Sequence, residues 1–110
     1  MIRVGTSGYS YQDWVGPFYP EGTAKTDFLS YYAEHFQTTE LNFTYYRMPA
    51  ARTLEQIAAK VGDDFVFSVK TPGSITHEPA DDPLAEMQGF REALAPLLEE
   101  GKLACVLAQF

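Results

Sequence analysis

Four short β-rich runs alternate with three helix-like patterns along this 110-residue chain. The runs occupy residues 2–6, 39–43, 65–70 and 103–109, and the segments between them repeat apolar residues every three or four positions. An order of β-α-β-α-β-α-β is typical of parallel strands that are joined by right-handed crossover helices. The sequence therefore predicts an α/β fold within one domain.

The helical patterns have recognisable apolar faces and boundaries. Thr26 is the expected N-cap of the first helix, while Gly62 and Gly101 are expected to end the second and third. Pro96 lies inside the third pattern and predicts a kink or a break there. The apolar faces are formed by Phe28, Leu29, Tyr32, Ala33 and Phe36, then by Leu54, Ile57, Ala58 and Val61, and finally by Met87, Phe90, Leu94, Leu97 and Leu98.

Composition narrows the classes of function. A formal net charge of −7 disfavours binding to phosphate backbones without excluding a local basic site. Cys105 is the single cysteine, so no internal disulfide forms, and no Cys/His cluster has the spacing of zinc ligands. There is neither a leader-like N-terminus nor an apolar stretch of bilayer length. We therefore expect a cytoplasmic protein that has no membrane contact, metal or cofactor.

The last β-rich run is apolar, and nothing that follows it in the sequence covers it. An uncovered edge strand promotes association with another chain. Four strand-and-helix units are half of eight, and a complete barrel needs about 250 residues. We therefore expect residues 1–110 to be one partial domain, the first half of a TIM-type (β/α)8 barrel, with exposed edges that permit a homodimer.

Alternation along each strand assigns its side chains to two faces. Because helices cover the apolar face, the other face points into the barrel, and it holds Arg3, Gly5, Ser7, Glu40, Asn42, Val66, Ser68, Lys70, Cys105, Leu107 and Gln109. Ala104, Val106 and Ala108 are expected to lie beneath helices. A buried carboxylate needs a partner, so Arg3 and Glu40 are predicted to contact each other.

Polar residues end all four strands, at the edge where barrels of this class carry their active sites. These residues are Ser7, Asn42, Lys70 and Gln109. Lys70 is a candidate anion ligand or activated amine, and a solvated lysine at a strand end is an equally good interpretation.

The loops at that edge add further candidates. Residues 7–24 form a long first loop that carries Tyr9, Tyr11, Trp14, Phe18 and Tyr19, which form either a small core or a stacking platform for a sugar or base. Tyr46 and Arg47 follow the second strand, where Arg47 either clamps an anion or pairs with a surface carboxylate. His77 follows the third strand as either a hydrogen-bonded loop residue or an acid–base group.

Read in order, these segments resemble the YecE-like family, also called domain of unknown function 72. The resemblance implies a barrel with a pocket at its mouth, and it supplies no reaction. Its motif positions Asn42, Tyr46, Arg47, Lys70, His77 and Gln109 coincide with the mouth described above. The matching segments include Gly5-Thr6-Ser7-Gly8-Tyr9-Ser10-Tyr11, Gly16-Pro17-Phe18-Tyr19-Pro20, Tyr32-Ala33-Glu34-His35-Phe36, Glu40-Leu41-Asn42, Thr44-Tyr45-Tyr46-Arg47, Phe67-Ser68-Val69-Lys70, Thr76-His77 and Leu107-Ala108-Gln109-Phe110.

Three functional hypotheses remain open. The leading one is a mouth that binds a small polar or anionic ligand, with Lys70 or His77 as the acid–base group if the protein is an enzyme. The second is nucleic-acid processing, by analogy with endonuclease barrels. The third is a non-catalytic half-barrel that self-associates. The ligand-binding candidates are Ser7, Tyr9, Trp14, Asn42, Tyr46, Arg47, Lys70, His77 and Gln109.

Overall fold

The computed structural model describes residues 1–78 and 80–110. Within them, strands β1, β2, β3 and β4 form one parallel sheet in that order, which confirms the predicted α/β fold. The strands are β1 (Gly5–Ser7), β2 (Thr38–Leu41), β3 (Val66–Lys70) and β4 (Leu103–Leu107). The helices are α1 (Phe28–His35), α2 (Ala51–Ala58), α3 (Gly73–Thr76) and α4 (Pro83–Glu99).

The register of the sheet separates an apolar outer face from a polar inner face. Ser7 pairs with Glu40, Glu40 with Ser68, and Ser68 with Cys105 after an irregularity between Phe67 and Ser68. These four residues form one row on the inner face, where each is exposed or half-buried. The predicted assignment of β2 and β3 side chains to the two faces is therefore confirmed, since Leu41, Phe65, Phe67 and Val69 are all buried beneath helices.

The buried side chain of Tyr32 joins helix α1 to the first two strands by hydrogen bonds. The Tyr32 hydroxyl accepts a hydrogen bond from Thr6 N at 2.8 Å and donates one to Thr38 O at 2.9 Å. Thr39 Oγ1 donates to Thr6 O at 2.9 Å and so satisfies a second buried hydroxyl. Buried polar groups that lack partners are costly, so these bonds fix the position of α1 over β1 and β2.

Helix α4 is continuous through Pro96, so the predicted break is wrong. The buried residues Ala93 and Leu94 precede the proline and Leu97 follows it, so packing holds the helix on both sides. Gly101 has φ +67°, and the bonds Gly101 N to Leu98 O and Lys102 N to Leu97 O form a Schellman motif. Gly101 therefore ends α4 as predicted. No described helix is long and apolar enough to cross a lipid bilayer.

Several predicted boundaries shift. Strand β1 starts at Gly5 instead of residue 2, because its register with β2 begins where Gly5 faces Thr38. A β-carbon on Gly5 would lie 1.8 Å from Thr38 O, so this pairing requires glycine. Strand β2 ends at Leu41, since a 3-10 turn follows it at Phe43–Tyr45. Thr26 does not cap α1; Asp27 occupies the N-cap position, without a side-chain capping bond.

Two predicted environments are also wrong. Arg3 and Glu40 both line the hollow on the inner face of the sheet, but they do not pair: in the part of the chain that the structure describes, the ion pair within 4.0 Å joins Lys102 to Asp63. Ala104, Val106 and Ala108 are exposed and do not lie beneath helices. Strand β4 is at the edge of the described sheet, and α4 packs mainly against α2, so much of the outer face of β4 is uncovered.

Candidate functional site

The carboxyl ends of β1 and β2 meet in a small polar network. Tyr11 OH donates to Ser7 O at 2.6 Å, while Asn42 Nδ2 lies 3.5 Å from Ser7 Oγ and 3.4 Å from Tyr11 OH. Gly8 permits this approach, because it has φ +83° and a β-carbon there would lie 2.3 Å from Tyr11 OH. The structure thus brings Ser7 and Asn42 together at the predicted edge.

Beside this network lies an open groove of about 630 Å³. Two of the side chains that line it, Leu41 and Ile57, are buried and apolar. Four of the predicted ligand-binding residues meet here. The lining comprises Gly8, Tyr9, Ser10, Tyr11, Lys25, Glu40, Leu41, Asn42, Phe43, Tyr46, Arg47, Thr53, Gln56, Ile57 and Lys60. We refer to it as the β1–β2 groove.

The charges that line the β1–β2 groove run against those of the whole chain. Lys25, Arg47 and Lys60 line it with Glu40 as the acidic residue, although the chain has a formal net charge of −7. Lys60 Nζ donates to Thr26 O at 3.0 Å. Among the described residues, one ion pair lies within 4.0 Å, and it joins Lys102 to Asp63. Arg47 therefore forms no ion pair with a carboxylate in the described part of the chain. The groove therefore presents a guanidinium that is available to an anion.

A second cleft of about 450 Å³ lies on the other side of Tyr46 and Arg47, which line both hollows. Its far wall comes from α3 and α4, where Ser74 Oγ donates to Glu86 Oε2 at 2.9 Å. His77 also lines it, and its Nδ1 lies 2.8 Å from Thr76 Oγ1. This contact is compatible with both interpretations of His77, which stay predictions. Helix α3 had no clear signal in the sequence, because it is only four residues long.

Lys70 is held against an aromatic ring. Its Nζ lies 4.8 Å from the centroid of the Tyr45 ring, a cation–π geometry. The Tyr45 ring also contacts Tyr46 and His77 edge to face, with centroids 5.3 and 5.2 Å apart. Thr44 Oγ1 donates to the backbone oxygen of Lys70, which joins the turn after β2 to the end of β3. Lys70 is thus neither freely solvated nor in contact with a carboxylate.

The rings of the first loop form a small core with α1. Tyr19 is fully buried and stacks on Phe28, with centroids 4.2 Å apart and planes 5° from parallel. Trp14 and Phe18 pack edge to face beside it, 5.9 Å apart. Tyr19 OH donates to Tyr9 O at 2.5 Å. Burial raises the pKa of both Tyr19 and Tyr9, and the neighbouring Tyr32 and Tyr9 hydroxyls add to the rise at Tyr19.

The inner face of the sheet forms a third, smaller hollow of about 360 Å³. Ser7, Glu40, Ser68 and Cys105 line it, and Cys105 Sγ donates to Ser68 Oγ at 3.2 Å. Within the part of the chain that the structure describes, no three His, Cys, Asp or Glu side chains are grouped so that they would hold a metal ion.

The predicted site residues thus separate into groups. Tyr9, Asn42, Tyr46 and Arg47 line the β1–β2 groove, and His77 lines the second cleft together with Tyr46 and Arg47. Ser7, Trp14, Lys70 and Gln109 lie outside both linings, and Ser7 lines the hollow on the inner face of the sheet instead.

Sequence reasoning missed two cations of the groove, Lys25 and Lys60. A signal for Lys60 was available, because Thr53, Gln56 and Lys60 follow one helical stripe at spacings of three and four. Thr53 and Gln56 lie on α2 and Lys60 lies two residues after its end, and all three line the groove. Lys25 had no comparable signal, since it precedes α1 in a short 3-10 turn.

Sequence comparison identifies relatives that are longer than this chain. The sequence model of a family described as "Protein of unknown function DUF72" matches residues 3–110. UPF0759 protein YunF of Bacillus subtilis is 33% identical over 115 residues, which cover all of this chain and 40% of the relative. UPF0759 protein YecE of Escherichia coli is 31% identical over 100 residues, which cover 87% of this chain and 34% of the relative.

Solved structures agree with these relatives. A DUF72 family protein of Thermotoga maritima superposes on the whole chain with a TM-score of 0.84 and 46% identity, and the match covers 44% of that protein. A DUF72 family protein of Enterococcus faecalis gives a TM-score of 0.83 at 26% identity and is covered to 40%. The chain thus spans between 34% and 44% of the length of these four proteins.

Proposed function

We propose that this chain, which belongs to the DUF72 family, binds a small anionic ligand in the β1–β2 groove. The family description names no activity, so the proposal rests on the groove itself. Lys25, Arg47 and Lys60 line it against the one carboxylate of Glu40, in a chain whose formal net charge is −7. A local positive field in an acidic protein concentrates small anions at that place.

Arg47 is the central ligand in this proposal. A guanidinium presents a planar fork of N–H donors that matches a phosphate or carboxylate, and such charge-assisted bonds are stronger than neutral ones. Asn42 adds an amide at the same wall of the groove, and Lys25 adds positive charge. Lys60 keeps its bond to Thr26 O and contributes mainly through its charge. The groove is open to solvent, so we expect modest affinity.

Isothermal titration calorimetry of the chain with inorganic phosphate at low ionic strength tests this proposal. Arg47→Gln is expected to weaken phosphate binding about tenfold or more, because a hydrogen bond to a charged group contributes roughly 1.5–3 kcal/mol. The matched control is Arg91→Gln, which removes the same charge from an exposed position on α4. An equal loss in both variants would show that only the overall charge matters, and absence of binding to the unmodified chain would also refute the proposal.

A second candidate function is self-association through the two edge strands of the sheet. Within the described sheet β1 and β4 are the edge strands, and Val106 and Leu107 on β4 are 43% and 39% exposed. Unpaired apolar edge strands pair readily with another chain. A second copy would bring the number of strands to eight and would add a second set of strand ends to the mouth.

Sedimentation equilibrium at several concentrations tests this second candidate. The chain is expected to form a discrete dimer, and Val106→Lys is expected to return it to a monomer because a charge on an edge strand blocks pairing. Leu84→Lys is the control, since Leu84 is an exposed apolar residue on α4 that lies away from the edge strands. A monomer at all concentrations, or equal dissociation in both variants, contradicts the dimer.

A further inference from the structure

The floor and the rim of the β1–β2 groove differ in chemistry. Its apolar part consists of the half-buried rings of Tyr9 and Phe43, beside Leu41 and Ile57, which are almost wholly buried. The cationic groups of Lys25 and Arg47 belong to exposed residues. A bare inorganic anion would interact with the charged rim and gain nothing from the apolar base. The groove therefore offers apolar surface that a larger ligand would cover.

The dimensions of the groove point in the same direction. Its volume of about 630 Å³ is in the range of pockets that hold organic molecules, roughly 300–1,000 Å³. A single phosphate would occupy a small part of that space. The remainder would stay filled with water against the apolar side chains.

Tyrosine rings border the groove on two sides. Tyr9 and Tyr11 come from the first loop, and Tyr46 comes from the turn after β2. Tyr46 is 84% exposed although its ring is large and mostly apolar, and it adjoins Arg47 in the sequence. An exposed ring next to an available guanidinium gives a ligand both a surface for stacking and a partner for its charge.

From these three features we infer that the ligand is an organic anion with a flat apolar body, such as an aryl phosphate or aryl carboxylate. The inference rests on the proposed function and specifies its ligand class. The anionic group binds Arg47 at the rim. The apolar body lies over the rings of Tyr9 and Phe43 and packs against the ring of Tyr46.

Competing titrations with phenyl phosphate, inorganic phosphate and phenol test this ligand class. Phenyl phosphate is expected to bind at least tenfold more tightly than inorganic phosphate, because burial of a ring against apolar groups adds to the contact with Arg47. Tyr46→Ser is expected to weaken phenyl phosphate binding several-fold and to leave inorganic phosphate binding unchanged. Tyr46→Phe is expected to keep the affinity for both. Phe110→Ser removes an exposed ring outside the groove and serves as the control.

The possible outcomes separate this inference from the proposal beneath it. If inorganic phosphate binds through Arg47 and phenyl phosphate binds no more tightly, the ligand class is wrong and the anion site stands. If phenol binds as tightly as phenyl phosphate, the groove is apolar without selecting anions and both proposals fail. Equal losses for Tyr46→Ser and Phe110→Ser would overturn the role of Tyr46.

Discussion

Two aromatic-rich segments of the chain have opposite environments. In the first loop, Trp14, Phe18 and Tyr19 pack into the protein, and Tyr19 is fully buried. In the turn after β2, Tyr45 is half-buried and Tyr46 is 84% exposed. Each segment follows a strand, β1 or β2, and so both lie at the carboxyl ends of the strands of the parallel sheet. Aromatic content at the mouth of such a sheet therefore does not by itself distinguish a core from a binding surface.

The partners of the rings explain the difference. The first loop lies over α1, whose Phe28, Tyr31 and Tyr32 give its rings an apolar surface to cover. The turn after β2 has Lys70, His77 and the cations of the groove around it. Burial of a ring is favourable against other rings, whereas beside charged groups the ring stays near water. The comparison leads to four predictions, which are described from the largest expected effect to the smallest.

Replacement of a ring by alanine should lower the free energy of unfolding much more in the first loop than in the turn after β2. Tyr19→Ala is expected to lower the free energy of unfolding by about 3–5 kcal/mol, as for other large aromatic residues in protein cores. Tyr46→Ala is expected to change it by no more than about 0.5 kcal/mol, the usual range for an exposed site. Urea denaturation of both variants measures the two values. Similar losses would mean that the two segments pack alike and would remove the basis of the comparison.

A single buried hydroxyl provides the next test. Tyr32→Phe keeps the ring and removes the oxygen that bonds Thr6 N and Thr38 O, so both backbone groups lose a partner. We expect a loss of about 1–3 kcal/mol in the free energy of unfolding, the usual cost of unsatisfied buried groups. Tyr46→Phe removes an exposed hydroxyl and should have almost no effect. If both variants unfold at the same urea concentration, the Tyr32 bonds do not fasten α1 to the sheet.

Alkaline pH should weaken the buried segment selectively. Burial raises the pKa of Tyr19 above its ordinary value near 10, so above pH 10 the unfolded chain releases a proton that the folded chain retains. The contribution of this hydroxyl is therefore complete below pH 10 and decreases as pH rises, by at most about 1.4 kcal/mol per pH unit. The stability advantage of the unmodified chain over Tyr19→Phe is expected to shrink between pH 8 and pH 11, as measured by urea denaturation. A constant difference would contradict a raised pKa.

The sequence predicted the elements of the fold better than their ends. Apolar periodicity located α1, α2 and α4, and alternation assigned the faces of β2 and β3, because both patterns reflect burial directly. Contacts between distant segments decided the rest. The start of β1 depends on the approach of Gly5 to Thr38 O, and the exposure of Val106 depends on which helices cover β4.

The candidate site was predictable only in part, for a similar reason. Strand ends meet at one edge of a parallel sheet, so Ser7 and Asn42 were expected to come together. The contact between Lys70 and Tyr45 was not expected, since it joins the last residue of β3 to the turn after β2, whose conformation the sequence does not specify. The same holds for Lys25, which reaches the β1–β2 groove from the turn before α1.

The smallest expected effect concerns the contact between Lys70 and Tyr45. Its measurement tests whether the turn after β2 contributes to the free energy of unfolding. A double-mutant cycle of Lys70→Met and Tyr45→Leu is expected to give a coupling energy of about 0.5 kcal/mol, because the ammonium and the ring are both partly hydrated. A second cycle, which pairs Lys70→Met with Tyr46→Leu, is the control and should give a smaller value. Urea denaturation of the variants in each cycle provides the energies. A Lys70–Tyr45 coupling above about 2 kcal/mol would show that this contact is desolvated, and the turn after β2 would then belong with the buried first loop.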